Sequence, residues 1–450
     1  MTRSRFLTCL PVAAGVVVVH ALRGTSLLLN AEAEALLDSF AHPPAPRHRR
    51  GYRASQLAPL LDAFLAKGFL LPADQNEREA FLRSRHPGDL ASGAHLRGLS
   101  LVVSERCNLA CPYCLRGAFL GLPPGQHPAQ MSIRTARQAI RAFLRVADRH
   151  LGHNLQVSFR GGEPLLAPEV VFAAVRDLRS IWPDRPVRVS LVTNGTLVTD
   201  AAARQMAALG IAAEVSLDGP QAVHDALRLT RTGGRTHHAV RQGIDRLHRA
   251  GVEVMCVNAT GTAETLPLLG EAFMDELAAR GLTFLNLEPD VLRPAHPDPR
   301  RLAERILELR AVGRGRGVEV SGCWARPFGN LRRVSLGEPL PSGDIKGLVV
   351  GAGGAIIGSE YDGHQVLGPV PELRSVLASE QYRQHVESRL PGRIPECRGC
   401  EIEGLCQGGA SVVAAYERAA GRTGLFAHRC AFVRAMTLSL IAECCLPPGR

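Results

Sequence analysis

Short apolar runs alternate with amphipathic stretches through the middle of the chain. Runs that predict strands lie at residues 99–103, 155–159, 187–192, 212–217, 252–257 and 283–287. Helical periodicity occupies residues 132–150, 168–181, 200–209, 236–250, 264–280 and 299–314. This alternation is typical of parallel strands joined by right-handed crossovers. Six units are fewer than the eight of a closed barrel, so we predict an open, TIM-like partial (β/α)6 barrel at 91–314, with its functional residues at the carboxyl ends of the strands.

Residues 1–90 and 315–450 have different patterns and are predicted to form two further domains. The first segment contains apolar runs, helical patterns and a strand-like stretch, in the order 17–21, 26–29, 31–40, 56–67 and 68–71. That order predicts a small winged-helix-like α+β module, with a linker at 83–93. The last segment is irregular and rich in glycine over 335–367, with room for one β-hairpin, and ends in a predicted helix at 431–443.

The N-terminal apolar run resembles a secretory signal because Arg3 and Arg5 precede it. However, its residues at 11–20 are rich in β-branched valine and continue into the strand-like 26–29, which favours a β-hairpin. Elsewhere no stretch reaches the roughly 18 apolar residues of a transmembrane helix. We therefore expect a cytoplasmic protein without a membrane-spanning segment.

Composition agrees with a globular protein of two or three domains, since 46% of the 450 residues are hydrophobic and 21% are charged. The formal net charge is +11, and arginines account for nearly all the positive charge because Lys67 and Lys346 are the only lysines. Aromatic residues make up 5% of the chain, and the arginines form no basic stripe. This pattern does not favour a nucleic-acid-binding protein.

Seven of the 12 cysteines fall into two groups with close spacing. In a long chain such spacing indicates metal or cluster binding in a reducing compartment rather than a disulfide framework. The first group, Cys107, Cys111 and Cys114, follows the first barrel strand in the segment SERCNLACPYC. Three thiolates hold three irons of a [4Fe–4S] cubane and leave the fourth open to a cofactor. A structural zinc site is the alternative at this point.

Three further motifs follow successive predicted strands. RGGEP follows the second strand and TNG the third, and SLDGP follows the fourth, with His224, Asp225 and Arg228 close behind. Glycines at strand ends let a backbone approach a ligand closely, and a glutamate offers a carboxylate to an ammonium group. Recurrence at successive parallel strands makes one shared site the favoured interpretation.

These motifs resemble those of the radical S-adenosylmethionine (radical SAM) superfamily, in which SAM chelates the open iron and is cleaved reductively to a 5′-deoxyadenosyl radical. The resemblance implies that the glycine motif binds the amino group of SAM. It also implies that the residue after the fourth strand binds the ribose of SAM and that Arg228 binds its carboxylate. It also implies an aromatic side chain near the adenine, with simple packing as the alternative role. The implied cofactor-binding residues are Tyr113, Gly161, Gly162, Glu163, Pro164, Asn194, Ser216, Asp218 and Arg228.

The second cysteine group comprises Cys397, Cys400, Cys406 and Cys430, with C-x2-C-x5-C spacing in the first three. Four thiolates suit either a closed [4Fe–4S] cluster or a zinc ion. The segment resembles the SPASM/twitch-like auxiliary-cluster domains of sulfatase and peptide maturases, which implies the cluster.

The full auxiliary-cluster extension has further cysteines that this chain replaces with other residues. Ala410 occupies the position where one of these cysteines is expected, and Gly358 or Ser359 occupies the position of another. Only Cys323 of the first auxiliary set remains, so we predict that this cluster is absent. Cys323 would then be a vestige, a small core residue or a substrate contact, and a core residue is the favoured role. We also expect His237 and His238 to be capping or exposed residues.

The resemblance implies a radical SAM maturase that acts on a ribosomally made precursor peptide. Net two-electron oxidation to a cross-link is the leading reaction, with a flavodoxin- or ferredoxin-type electron donor. The N-terminal module would bind the leader segment of the precursor by β-augmentation. Two alternatives stay open: a dehydrogenase or epimerase of a small molecule, and a non-catalytic iron–sulfur redox sensor or scaffold.

Overall fold

A computed structural model gives the arrangement of most of the chain. It describes residues 1–12, 14–41, 54–77, 79, 89–120, 129–147, 155–183, 186–336, 338, 347–359, 365–390, 393–398, 400, 402–408 and 411–445. Most of the predicted linker at 83–93, as well as Ala410, therefore lies outside the described residues.

The N-terminal part contains short strands and two helices. They are β1 (Thr2–Arg3), β2 (Leu7–Val12), β3 (Gly15–His20), β4 (Ser26–Leu29), α1 (Ala31–Asp38), α2 (Ala54–Lys67) and β5 (Leu70–Leu71). The predicted hairpin is the β3–β4 pair, but β2 joins it on the other side, so the sheet is a three-stranded meander. The strand predicted at 68–71 pairs with β1 instead of joining this sheet.

Six parallel strands form the centre of the molecule and pair in chain order. They are β6 (Gly98–Ser104), β7 (Leu155–Gly161), β8 (Val187–Thr193), β9 (Ile211–Ser216), β10 (Val254–Gly261) and β11 (Phe284–Pro289). The helices of this part are α3 (Leu115–Leu120), α4 (Ile133–Ala147), α5 (Pro168–Ile181), α6 (Asp200–Leu209), α7 (Gln221–Leu227), α8 (His237–Arg249), α9 (Glu271–Ala279) and α10 (Pro299–Arg314). The predicted β/α alternation and open parallel sheet are confirmed.

Two helices differ from the prediction. The helix predicted at 264–280 is a 3-10 turn, Leu266–Leu268, followed by the separate α9. Pro267 and Gly270 interrupt the pattern because proline removes a helical hydrogen bond and glycine is a poor helix former. The short α7 was not predicted, since seven residues carry too little periodicity.

The C-terminal part extends the same sheet at both edges. Its elements are β12 (Glu319–Ser321), α11 (Arg326–Ser335), β13 (Gly347–Val350), β14 (Ala355–Ile357), β15 (Val366–Pro369), α12 (Leu373–Ala378), α13 (Glu380–Arg389), α14 (Glu403–Cys406), α15 (Ser411–Ala420) and α16 (Leu425–Cys445). β12 pairs with β11, and β13 pairs in parallel with β6 before turning back into the predicted hairpin with β14. The ten-stranded sheet therefore joins the barrel strands to the segment that carries the second cysteine group.

Helix α16 is longer than the predicted helix at 431–443. Among the described residues it alone is long and apolar enough, by length and composition, to cross a membrane. The sequence pattern had suggested no such stretch. Its side chains Phe432, Val433, Met436 and Leu440 are buried in the main hydrophobic core, as expected of a core helix.

The N-terminal meander packs directly against the second cysteine segment. Phe6 and Leu10 share a small hydrophobic core with Leu405. Nearby, the Arg5 guanidinium donates to the Glu403 carboxylate over 2.6 Å. Because Glu403 lies between Cys400 and Cys406, this ion pair ties the N-terminal module to the cysteine segment.

Helix α8 packs against the turn that follows β8 through a glycine. A methyl group at Gly243 would lie 2.2 Å from the carbonyl oxygen of Gly195, which belongs to the TNG motif. Helix and turn therefore touch through their backbones, which fixes the height of that turn above the sheet.

We predict that Gly243→Ala lowers the free energy of unfolding by about 1–3 kcal/mol, because overpacking outweighs the better helix propensity of alanine. Gly329 in α11 is the matched control, since no heavy atom lies within 4 Å of a methyl group there. Gly329→Ala should stabilise the protein by about 0.5–1 kcal/mol. Denaturant unfolding measures both changes, and equal effects at the two sites would contradict this packing.

Candidate active site

The first cysteine motif forms a loop directly after β6. Main-chain N–H groups donate to two of its sulfurs: Leu109 to the Sγ of Cys107 over 3.4 Å and Gly117 to that of Cys114 over 3.3 Å. Burial, partly opposed by Arg228, raises the pKa of the Cys111 thiol to about 11, and Asp218, Cys107 and Cys114 contribute to this rise. The three thiols thus lie close enough to influence one another, and a metal that displaces their protons would relieve this effect.

The loop rests on the glycine turn that follows β7. Gly162 N donates to the Ser104 carbonyl over 2.7 Å, and Glu163 N donates to the Arg106 carbonyl over 2.9 Å. A methyl group at Gly162 would lie 2.2 Å from the Arg106 carbonyl oxygen and 3.0 Å from the amide nitrogen of Cys107. Gly161 has a φ of 143°, a conformation that side chains disfavour. Both glycines are therefore required for this close approach.

The carboxylate of Glu163 is fully buried beneath the loop. It accepts hydrogen bonds from the Thr193 hydroxyl over 2.8 Å, from Asn194 N over 2.7 Å and from Leu165 N over 3.0 Å. Burial raises its pKa to about 7, although these donors oppose the rise. A buried carboxylate with no cationic partner among the described side chains is suited to accept an N–H hydrogen bond from an amino group of a ligand.

Asn194 connects the TNG turn to the cysteine loop. Its Nδ2 donates to Asn108 Oδ1 over 2.8 Å and approaches the Cys107 sulfur at 3.8 Å. Asn108 in turn donates to the Thr196 hydroxyl over 2.8 Å. These amides hold the position of the first thiol.

Tyr113, Asp218 and Arg228 form one buried network. The Arg228 guanidinium donates to both Asp218 oxygens, over 2.9 and 3.0 Å, and the Tyr113 hydroxyl donates to the same carboxylate. The Thr260 amide donates to it as well, over 2.9 Å. Asp218 thus neutralises Arg228, which differs from the predicted role of Arg228 as partner of a cofactor carboxylate. Ser216 lies half-buried at the end of β9, without a hydrogen-bonding side-chain partner in the described part of the chain.

The expectation for His237 is wrong. This residue is 3% exposed and packs edge-on against His224, whereas Asp225 accepts hydrogen bonds from the first amides of α8. His238 is exposed, as predicted. Burial lowers the pKa of His224 to about 4, so its ring is neutral beside the Asp218 network.

A cavity of about 750 Å³, here called the central cavity, lies at the carboxyl ends of the strands. At one end it is lined by Tyr113 and Cys114, and at the other by Val413 and Arg429, which belong to the elements around the second cysteine group. A depression of similar size between α8 and α9 lies away from both cysteine groups, and its arginines pair with Asp245 and Glu276.

The four thiols of the second group face one another. Burial, with contributions from Cys406 and Cys400, raises the pKa of Cys430 to about 12. Burial also raises the pKa of Cys397, and the thiol of Cys430 adds to that rise. In the described part of the chain, no three histidine, cysteine or acidic side chains converge tightly enough for a single metal ion. A cubane holds its thiolates further apart than a zinc ion does.

Cys323 is not the core residue that we expected. Its side chain is exposed and lines the central cavity, because Gly322 and the 3-10 turn Cys323–Ala325 bring it past the end of β12. Its amide donates to the Glu288 carboxylate, whose other oxygen accepts from Arg429 over 2.7 Å.

Comparison with known proteins agrees with this geometry. The Radical SAM superfamily model matches residues 101–265. A probable GTP 3′,8-cyclase of Methanopyrus kandleri is 31% identical over 239 residues, which span 49% of this chain and 68% of the cyclase. This chain belongs to the radical SAM superfamily.

Other similarities reach further along this radical SAM enzyme. The radical SAM cyclopropyl synthase TigE of Paramaledivibacter caminithermalis is 22% identical over 79% of this chain and 76% of its own length. Two solved structures share the fold. The structure of anSMEcpe with bound AdoMet and Cp18Cys peptide has a TM-score of 0.60 and 19% sequence identity, and the match covers 77% of this chain and 98% of that one. The structure of Streptococcus suis SuiB bound to precursor peptide SuiA has a TM-score of 0.53 and 14% identity, and the match covers 91% of this chain and 95% of that one.

Family membership implies SAM and one [4Fe–4S] cluster, and the residues present fit both. Three thiols without a fourth protein ligand in the loop are the donor set of an open-iron cubane. The buried Glu163 has no cationic partner among the side chains that the structure describes. These features suit an amino acid moiety bound next to the cluster.

Several residues around the cavity escaped the sequence analysis. Asn258, Thr260, Asn286 and Glu288 line it from the ends of β10 and β11. Polar residues at the ends of the fifth and sixth strands were a usable signal, because every strand of such a sheet presents its carboxyl end to the same site. Arg429 had no such signal, since it enters from a distant helix.

Replacing Gly162 tests the contact between loop and turn. We predict that Gly162→Ala displaces the loop backbone and removes the first cluster, so that iron falls by about four per chain and SAM cleavage is lost. Gly117→Ala is the control, because its nearest contact would be an ordinary 3.5 Å. Iron and sulfide assays measure the outcome. Normal iron content in Gly162→Ala would refute the contact.

The raised pKa of Glu163 predicts how SAM binding depends on pH. Below a pKa of about 7 the carboxyl is neutral and accepts an N–H hydrogen bond more weakly. Below a pKa of about 8 the SAM amine is protonated and has no lone pair for the open iron. Affinity should therefore rise by more than about tenfold from pH 6 to pH 8.5, with contributions from both groups. Equilibrium dialysis should show a steeper rise in the native protein than in Glu163→Gln, which keeps only the contribution of the amine. Equal slopes in the two proteins would exclude the hydrogen bond.

Proposed function

We propose that this enzyme oxidises a ribosomally made precursor peptide, forming a cross-link at an unactivated carbon. The observation that carries the proposal is the central cavity, which extends from the first cysteine loop to the elements around the second cysteine group. A substrate carbon in this cavity would lie beside Cys114 of the first group and beside Val413 and Arg429, whose helices flank the second group in sequence. The solved structures of anSMEcpe and SuiB, both with bound peptides, support a peptide substrate.

The second thiol set is proposed to hold an auxiliary [4Fe–4S] cluster on Cys397, Cys400, Cys406 and Cys430. Their mutual influence and partial burial suit a closed, four-thiolate cluster. Net two-electron oxidation removes from the substrate one hydrogen atom, one proton and one further electron. When loaded, the two clusters and SAM supply the deoxyadenosyl radical and the acceptor for that electron. The low-potential electron that starts the cycle is proposed to come from a cytoplasmic flavodoxin or ferredoxin.

This chain's own residues would prepare the reaction by holding the reactants. Gly161 and Gly162 set the loop against the turn, and Glu163 orients the amino group of SAM. The neutral Asp218–Arg228 pair holds Tyr113 in place and adds no net charge beside the adenosyl group. Ser216 offers its hydroxyl to the ribose, and Pro164 starts the 3-10 turn behind the glycine motif.

The N-terminal module is proposed to bind the leader segment of the precursor. Strand β4 is an edge of the meander, and Leu28 on it is 56% exposed. An open edge beside an exposed apolar side chain suits β-augmentation. The meander also contacts the second cysteine segment, so a leader bound there would deliver its following residues near the cavity.

Cysteine variants test this division of roles. We expect the native protein to contain about eight irons per chain, and Cys107→Ala and Cys400→Ala about four each. Cys107→Ala should abolish 5′-deoxyadenosine formation under dithionite. Cys400→Ala should retain that cleavage but fail to convert a precursor peptide that the native protein modifies. Cys444→Ala, an exposed cysteine of neither group, is the control. Loss of SAM cleavage only in Cys400→Ala would reverse the assignment.

A further inference from the structure

Exposed arginines border the first cysteine loop. Arg106 lies within the loop, and Arg231 and Arg235 lie in the turn 229–235 between α7 and α8. All three side chains are exposed, and none of them forms a hydrogen bond or an ion pair with a side chain that the structure describes. Their guanidinium groups are therefore available to a partner outside the chain.

Main-chain hydrogen bonds attach the turn 229–235 to the cysteine loop. The Arg231 amide donates to the Asn108 carbonyl over 3.3 Å, and the Ala110 amide donates to the first carbonyl of the turn over 2.9 Å. Within the turn, the Thr230 amide donates to the Gly234 carbonyl over 2.9 Å, which brings the two ends of the turn together. The arginines of the turn therefore lie beside the loop.

Few acidic groups oppose the charge of these arginines. Glu105 is the single acidic residue between residues 105 and 118 or within the turn, and its carboxylate lies 3.8 Å from Arg116. Asp200, which follows the neighbouring TNG turn in sequence, lies 3.5 Å from Arg249. The residues of the loop and the turn thus carry an excess of positive charge, which attracts acidic partners.

The protein covering above the first thiol set is thin beside the turn. Ala110 and Pro112, which flank Cys111 in sequence, both have small side chains and are exposed. The Cys111 residue itself is only half-buried. A cluster held by the loop would therefore lie close to the surface here. Because the rate of electron transfer falls steeply with distance, a redox group docked on this surface would be well placed to reduce it.

We infer that Arg106, Arg231 and Arg235 form the docking surface for an acidic flavodoxin-type electron carrier. Its anionic flavin hydroquinone would give one electron to the first cluster and become the neutral semiquinone, and no proton would move. The arginines suit the carboxylates of such a carrier, and the exposed Ala110 and Pro112 suit the apolar edge of its flavin ring. The inference rests on the proposed function, which requires a low-potential donor, and deepens it by naming where that donor binds.

The first experiment measures the binding of oxidised flavodoxin to the cluster-loaded protein by isothermal titration calorimetry at low ionic strength. Arg231→Gln/Arg235→Gln, which leaves the cysteine loop unchanged in sequence, should weaken binding about tenfold, and Arg106→Gln about threefold. Binding by the native protein should weaken about tenfold in about 0.5 M KCl. Arg332→Gln, which removes an exposed arginine of α11, is the control and should bind like the native protein. Equal affinities of the native protein and the double variant would overturn the inference.

The second experiment compares two reductants in the formation of 5′-deoxyadenosine. With subsaturating flavodoxin hydroquinone, the double variant should react about tenfold more slowly than the native protein at low ionic strength. Photoreduced deazariboflavin is small and uncharged, so it should support equal rates in the two proteins. The same loss with both reductants would overturn the inference, since it would place the defect in the cluster instead of in the docking of the carrier.

An acidic precursor peptide is the rival occupant of a positive surface. If the arginine variants bind a precursor peptide more weakly but flavodoxin equally well, the inference is overturned. Its failure is distinguishable from failure of the proposed function. A protein that modifies a peptide with a chemical reductant, yet binds flavodoxin equally well in all variants, lacks only this docking surface. A protein that binds flavodoxin through the arginines but modifies no peptide lacks the function.

Discussion

The contact between the first cysteine loop and the glycine turn after β7 is the constraint on which the site depends. Two main-chain hydrogen bonds close it, and neither partner leaves room for a side chain at Gly162. The loop has little secondary structure of its own to hold three thiols in place. Its position is therefore taken from the sheet, through β6 on one side and β7 on the other.

Buried polar groups around that contact are satisfied before any ligand binds. Glu163 is surrounded by donors from the third strand end, and Asp218 by Arg228, Tyr113 and Thr260. Such networks keep the polar groups oriented at low dielectric, where an unpaired group would be costly. Within the described part of the chain, the Glu163 carboxylate has no cationic partner, and its amide is hydrogen-bonded to the cysteine loop.

The continuous sheet explains how residues from both cysteine segments come to line one cavity. β12 extends the barrel strands at one edge and β13 at the other, so the C-terminal part is hydrogen-bonded to the barrel instead of linked only by a loop. Helix α16 then packs into the core and brings Arg429, the neighbour of Cys430 in sequence, to the lining of the cavity.

Strong local signals account for what the sequence predicted correctly. Strands β6 to β11 have regular apolar runs between helical repeats, and the glycine motifs mark their ends. Pairings between residues far apart in sequence had no such signal, because the partners share no local pattern. Examples are the pairing of β13 with β6, of Leu70 with Arg3, and of Arg429 with Glu288. The favoured role of Cys323, a core residue, was wrong because the exposure of its side chain depends on the central cavity, which only the folded chain forms.

The central claim is that one iron of the first cluster has no protein ligand and binds the methionine moiety of SAM. Electron–nuclear double resonance of the reduced cluster tests it directly, in a Cys397→Ala/Cys400→Ala protein that keeps only the first thiol set. With ¹⁷O in the SAM carboxylate and ¹⁵N in its amine, the account predicts hyperfine coupling of both labels to the cluster. Absence of both couplings in protein saturated with SAM would contradict it.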